Sequence, residues 1–297
     1  MSLSLLFAAL VEAAAQGTAA APATKPAEAI APAVIPAPPA PKLSFKEFHI
    51  NTNAIAMTFD DGPHAKNTPR LLDMLKERGI KATFFLIGKS ISAHPEILRR
   101  MIAEGHEVAN HTWDHKSLRT LSEKGINDEL QKTHDAIMAA CGVAPRVYRP
   151  PFGAITTKQM KAVNDLFKYT SILWDVDTND WKSPRTVAKV HDTILKEAHP
   201  GAIILCHDIH EPTIDAMPTT LDELKAKGFQ FLTISEMIKL EEDEIKGVKP
   251  PAATAPVTTA PPTPAPTPAA PVEKPKTSPA IGTTIPIEVK QPPPAKP

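Results

Sequence analysis

The stretch Ala54-Ile55-Ala56-Met57-Thr58-Phe59-Asp60-Asp61-Gly62-Pro63 decides the fold. Its first six residues make an apolar run of the length of a buried strand, and the run stops on two carboxylates and a Gly-Pro pair. Asp, Gly and Pro are turn formers, so in isolation this ending reads equally as a surface turn. Four further polar clusters occur where apolar runs end: His111-Thr112-Trp113-Asp114-His115, Arg149-Pro150-Pro151-Phe152-Gly153, Asp177-Thr178-Asn179-Asp180-Trp181 and Leu205-Cys206-His207. In a barrel of parallel strands, side chains just past the strand C-termini converge on one face, however far apart they lie in sequence. Two carboxylates, two histidines four apart, an arginine and a later histidine then share one mouth, an inventory suited to metal-assisted hydrolysis.

Outward from that stretch, short apolar runs alternate with helical patterns, the signature of an α/β fold. Thr68 reads as an N-cap, with Pro69 at the first helical position, Leu71, Leu72 and Leu75 as the buried stripe and Gly79 as the stop. Ala82–Ile87 is the next strand, and Pro95 opens a helix with Ile97, Leu98, Met101 and Ile102 on one face. A long helix runs from Ser122-Glu123 to Ala140; Val147-Tyr148 is a strand, Thr157–Phe167 a helix and Ser171–Val176 a strand. Ser183-Pro184 reads as a helix start. The strand Ala202–Leu205, a helix near Thr220–Lys227, the strand Phe229–Thr233 and the helix Ser235–Leu240 complete the pattern. About seven strand–helix pairs, rather than eight, predict a distorted or incomplete (β/α) barrel.

Proline sets the domain limits. Of 33 prolines, 7 fall in residues 1–41 and 16 in residues 250–297, leaving 10 between. Such Ala/Pro- and Pro/Thr/Ala-rich flanks bury too little apolar surface to offset chain entropy, so disordered spacers are expected at 16–42 and 243–297 around a domain at 43–242. The run Leu3–Val11, followed by Ala13-Ala14-Ala15, has the character of an export signal over residues 1–15, although no Lys or Arg precedes it. Export to the periplasm or beyond is therefore expected, with no second membrane segment. Lys+Arg and Asp+Glu balance at 33 each, so no overall field selects nucleic acid. Two cysteines, Cys141 and Cys206, argue against a disulfide scaffold.

The clusters differ in what they say alone. His111 and His115 are spaced to place two imidazoles on one side of a helical turn, yet a bare pair reads equally as two solvated side chains. Adding one carboxylate gives three protein ligands with a position left for water, the pattern of a catalytic rather than a structural zinc. Arg149 lies in a backbone stiffened by Pro150 and Pro151; it reads either as an exposed loop arginine or as one held against a carboxylate. Trp174 and Trp181 bracket Asp175, Asp177 and Asp180, which suits sugar stacking, while Trp174 alone would be an ordinary core residue. His207 alone reads as a buried, hydrogen-bonded histidine.

In this order the five clusters resemble those of the polysaccharide deacetylase family, the NodB-like carbohydrate esterase family four, from about Ala54 to Thr233. The resemblance implies Asp60 as general base, Asp61, His111 and His115 as ligands of a divalent transition metal (zinc first; cobalt, nickel or manganese as alternatives), and Arg149 as the partner of Asp60. It also implies the Phe152 N–H as an oxyanion donor, His207 as general acid tuned by Asp180, and Trp174 with Leu205 as the acetyl pocket, with Trp181 beside them for the sugar. Phe152 stands where many members have Tyr; since the implied contact is through backbone, activity is expected to survive. The implied reaction is N-deacetylation of N-acetylglucosamine polymers, peptidoglycan before chitooligosaccharide or exopolysaccharide; separately, a monomer is expected, with a tail in contact with the cell envelope. A glycan-binding module without turnover is the competing class, and an intact base and acid argue against it.

Overall fold

The computed structural model describes residues 42–248. The expected signal, linker and tail segments lie outside these residues, apart from Lys42 and the tail's first residues, 243–248. Nine strands are described: β1 (Ser44–Phe45), β2 (Ala54–Asp60), β3 (Thr83–Leu86), β4 (Glu107–Asn110), β5 (Val147–Tyr148), β6 (Thr170–Ile172), β7 (Val176–Asp177), β8 (Ile203–His207) and β9 (Gln230–Phe231). Eight α-helices connect or follow them: α1 (Asn67–Arg78), α2 (Gly88–Ala93), α3 (Pro95–Ala103), α4 (Glu123–Cys141), α5 (Thr157–Phe167), α6 (Val187–Glu197), α7 (Glu211–Ala226) and α8 (Ile234–Ile245).

Every strand pairing is parallel, in the order β1-β6-β5-β4-β3-β2-β8-β7, with β9 beside the first residues of β2. The sheet curls into an incomplete barrel with helices outside it, as the alternating pattern predicts. Side-chain alternation along β2 divides the core. Ile55, Met57 and Phe59 join the cluster that packs against α1, α3, α6 and α7, whereas Ala54 and Ala56 join a second cluster with Phe85, Ala109, Ile203 and the α8 residues Ile234 and Met237. The register brings the strand ends level: Asp60 is opposite both Phe85 and His207, and Asn110 is opposite both Leu86 and Tyr148.

Nine strands rather than about seven reflect two features that apolar patterning does not register. β1 is only two residues long, and the carbonyls of Leu43, just before it, and Phe45, within it, accept from Ser171 and Leu173. The expected strand Ser171–Val176 is broken, because Asp175 spends its carboxylate on the Ile203 N–H and Leu173 gives its carbonyl to Arg149. The chain then re-enters the sheet as β7, against β8.

Other boundaries also move. The cap of α1 is not Thr68, whose hydroxyl instead accepts from the His64 N–H and donates to Asp208. α6 starts at Val187, capped by the Thr186 hydroxyl, so Ser183-Pro184 lies in the preceding loop. α7 begins at Glu211 and carries Pro218 within it, a residue that patterning reads as a breaker. α8 runs to Ile245 behind a Thr233–Glu236 capping box, three residues beyond the expected boundary at 242. Cys141 and Cys206 are both free. Among the described residues, no helix is long and apolar enough to cross a membrane.

The N-terminal segment closes onto β8 through Phe48 N–H to Gly201 O at 2.9 Å. Gly201 has φ 91°, and a Cβ there would lie 1.9 Å from the Phe48 carbonyl oxygen. Gly201→Ala is therefore expected to cost about 3 kcal/mol through backbone strain and overpacking. Urea denaturation should show a lower midpoint; an unchanged midpoint would contradict this account of the closure.

Candidate active site

Asp60 is the last residue of β2 and is 2% exposed. One of its carboxylate oxygens, Oδ1, accepts from Arg149 Nη1 at 2.7 Å, while Oδ2 lies 3.6 Å from His111 Nε2. Arg149 is wholly buried. Its guanidinium also donates to Thr58 Oγ1 at 2.9 Å and to the carbonyls of Ile172 and Leu173 at 3.2 and 3.1 Å, and it stacks 4.1 Å over the Phe85 ring. Burial pulls the Arg149 pKa down from its usual value, and Asp60 opposes that pull. The arginine thus fills the barrel interior directly beneath the mouth.

Asp61 follows with φ 74°, a left-handed conformation that turns its side chain away from the strand direction. Its Oδ1 is buried without a hydrogen-bond partner and lies 3.5 Å from both His111 Nε2 and His115 Nε2. A carboxylate oxygen and two ring nitrogens around one tetrahedral ion, with bonds of about 2.0–2.1 Å, would be separated by roughly 3.3–3.4 Å. The donor set and its spacing fit a divalent transition metal, and the orphaned oxygen gives it a ligand atom with no other use.

The two histidines are not on a helix, contrary to the expectation from their spacing. They sit in the loop after β4, where Thr112 has φ 69° and His115 φ 61°. Asn110 shapes this loop by accepting from the Thr112 N–H and donating to Leu130 O, and buried Glu129 on α4 accepts from the N–H groups of Trp113 and Asp114. Gly88 and Lys89 at the start of α2 donate to the Thr112 and Trp113 carbonyls. His111 Nδ1 faces Arg149 O at 2.7 Å, so that nitrogen carries the proton and Nε2 presents a lone pair toward Asp61. Burial, then the neighbouring His111, lowers the His115 pKa and favours the neutral ring that a metal needs.

His207 ends β8, opposite Asp60 in register. Its Nδ1 lies 2.7 Å from Asp180 Oδ1, and Asp180 Oδ2 accepts from the His207 N–H and the Thr213 hydroxyl. Burial alone would lower the His207 pKa, but the hydrogen bond and charge of Asp180, together with Asp60 and Asp61, raise it to about 9. The next residue, Asp208, is fully buried; desolvation and then the Asp61 charge push it up to about 7, against the Thr68 hydrogen bond.

Asp60, Asp61, His111, His115 and His207 line one cavity of about 380 Å³ with Phe152, Trp174, Asp177, Trp181 and Leu205. Arg149 and Asp180 stand behind it, each bonded to a residue in the wall. All eleven side chains singled out from the sequence therefore belong to one site. Phe152, with φ 61°, packs 4.7 Å from the His115 ring, and Trp181 is about half exposed at the rim. Trp174 donates to Asp177 Oδ2 at 3.3 Å, and Leu205 is buried in the floor. Asn110, Glu129 and Thr213, which hold the loops, were not singled out; only burial and bonding reveal them. A second trio, Glu47, Asp175 and His199, also brings ligand atoms together, but it lies at the opposite end of β8, with His199 already 2.6 Å from Asp175.

Residues 50–170 match the family model described as polysaccharide deacetylase. The chain is 42% identical over 183 residues to the peptidoglycan-N-acetylglucosamine deacetylase PgdA of Listeria monocytogenes, covering 62% of this chain and 38% of that protein. It therefore spans about two fifths of that relative's length. It is 35% identical over 201 residues to a chitooligosaccharide deacetylase of Bradyrhizobium, covering 63% of this chain and 91% of the relative. The solved structure of peptidoglycan deacetylase PdaC from Bacillus subtilis superposes with a TM-score of 0.63 at 36% identity, covering 66% of this chain and 95% of that one.

Calorimetric titration of zinc into chelator-washed protein is expected to show one tight site. His111→Ala should weaken it by more than about 100-fold, and Asp60→Asn should leave it within about threefold. Loss of binding in Asp60→Asn with retention in Asp61→Asn would reverse the assignment of the two neighbouring aspartates.

Proposed function

Since the chain belongs to the polysaccharide deacetylase family, we propose that it is a metal-dependent hydrolase that removes N-acetyl groups from N-acetylglucosamine in peptidoglycan. The observation that carries this reading is the register pairing of Asp60 with His207 across β2 and β8, in the same cavity as the Asp61–His111–His115 trio. A binding module needs no buried Arg149–Asp60 pair and no His207–Asp180 pair facing the same cavity.

In the proposed reaction Asp60 is the base. Arg149 occupies its Oδ1, leaving Oδ2 at the cavity to take a proton from the attacking water. Asp61, His111 and His115 would hold a divalent ion, zinc in the first instance, which would supply Lewis acidity at the reacting centre. The backbone N–H of Phe152 is assigned to the developing oxyanion. His207, anchored through Nδ1 by Asp180, offers the other ring nitrogen and its proton to the departing sugar amine as the C–N bond breaks. Trp174 and Leu205 take the acetyl methyl group, and Trp181 and Phe152 stack against the sugar at the rim.

Peptidoglycan is favoured by the names of the Listeria and Bacillus relatives, and the Bradyrhizobium relative supports chitooligosaccharide as the alternative. The proposal includes export of the chain, directed by the apolar run at residues 3–11, action as a monomer, and contact of the tail with the envelope.

Acetate release should therefore be measured on peptidoglycan and on chitopentaose, with and without zinc. Activity that requires metal and falls about 10²–10⁴-fold in His207→Ala supports the reading. Binding of either glycan with no acetate released under any condition would replace it with the binding module. The pH dependence follows from the sign of the His207 shift. The acid is competent only while protonated, so kcat/KM should fall as pH rises through a pKa near 9. Asp180→Asn should move that limb to lower pH; a limb at the same pH would remove Asp180 from this role.

A further inference from the structure

Gly62 is not one of the glycines with positive φ, so conformation alone does not call for glycine here. Space does. A Cβ on Gly62 would lie 2.5, 2.7 and 2.9 Å from Oδ2, Oδ1 and Cγ of Asp208. The carboxyl of Asp208 therefore fills the volume directly behind the Asp61-Gly62 turn. It is fully buried there, and no Lys, Arg or His forms an ion pair with it among the described residues.

Asp208 is fixed from its far side. Oδ2 accepts the hydroxyl proton of Thr68, itself wholly buried, and Thr68 Oγ1 accepts from the His64 N–H at 2.7 Å. Oδ1 has no partner. The turn is held in front by Asp61 N–H to Phe85 O at 3.2 Å and by Ile87 N–H to Gly62 O at 3.0 Å. The backbone bonds set the height of the turn, and the Asp208 carboxyl occupies the space into which Gly62 would move backward. Any such movement would withdraw Asp61 Oδ1 from His111 and His115.

We propose that Asp208 is a positioning residue for the cation ligand Asp61, acting by contact with Gly62 and held in place by Thr68. The proposal rests on reading Asp61, His111 and His115 as the metal site. Because Asp208 follows His207 directly, one two-residue unit at the end of β8 then sets both the acid and the ligand. Outer partners of metal ligands typically contribute 10–100-fold in affinity.

The test is zinc affinity measured calorimetrically on full-length chelator-washed protein, a readout independent of turnover. Asp208→Ala is expected to weaken binding at least tenfold. Asp208→Asn keeps the planar shape and the acceptor for Thr68, and should bind within about threefold of wild type. Gly62→Ala should also weaken binding at least tenfold, and Gly62→Ala with Asp208→Ala should bind more tightly than Gly62→Ala alone, because the new methyl group enters the vacated space. Unchanged affinity in Asp208→Ala, or equal losses in Asp208→Ala and Asp208→Asn, would overturn the proposal. If Asp208→Ala does not fold, wild-type affinity in Gly62→Ala overturns it instead. A wild-type protein that binds no zinc would overturn the metal reading and this role with it, which separates that failure from a failure at Asp208 alone.

Discussion

A guanidinium sealed inside a barrel is the constraint on which this molecule turns. Arg149 is without solvent contact, and burial of a lone cation there would cost several kcal/mol. It is tolerated because Asp60 pairs with it at 2.7 Å and three further acceptors, Thr58 Oγ1 and the carbonyls of Ile172 and Leu173, take three more of its five N–H protons. Removing either partner of such a pair typically destabilises by about 3–5 kcal/mol. The same bonds tie the ends of β2 and β6 to the loop after β5, and they leave Asp60 with one oxygen for the cavity. Structural necessity and the orientation of the Asp60 carboxylate are the same set of contacts.

From that point the site is assembled by register. Parallel strands bring Asp60 and His207 side by side, and the loop after β4 delivers His111 and His115 over Asp61. Each reactive group then has a buried neighbour that decides its direction: Arg149 for Asp60, the Arg149 carbonyl for His111, Asp180 for His207 and Asp208 for the Asp61-Gly62 turn. In the proposed reaction, preorganisation of this kind would let opposite proton transfers occur in one cavity without rearrangement.

Much of this was legible in the chain. The apolar run Ala54–Phe59 ending on Asp60-Asp61 marks both a central strand and the edge at which chemistry collects, and the five clusters hold ten of the eleven residues singled out and found together, Trp174 being the other. What patterning missed has physical reasons. β1 and β7 are two residues long and have no period to detect. The first half of α7 is hidden by Pro212 and Pro218, and α2 is a six-residue helix with only Gly88 and Ile91 buried. The spacing of His111 and His115 suggested a helical turn, whereas left-handed residues at Thr112 and His115 achieve the same convergence in a loop. Glu129 and Asp208 carry no signal in sequence, because their effect is exerted through long-range contacts with backbone.

The most direct test of the central claim is the position of bound metal, located by anomalous scattering at the zinc edge in crystals of the zinc-loaded protein. The account predicts a single strong peak about 2.0–2.2 Å from an Asp61 oxygen, His111 Nε2 and His115 Nε2, with Asp60 still paired to Arg149 and His207 to Asp180. A peak bound by Asp60 in place of Asp61, or one confined to Glu47, Asp175 and His199 at the other end of β8, would contradict it.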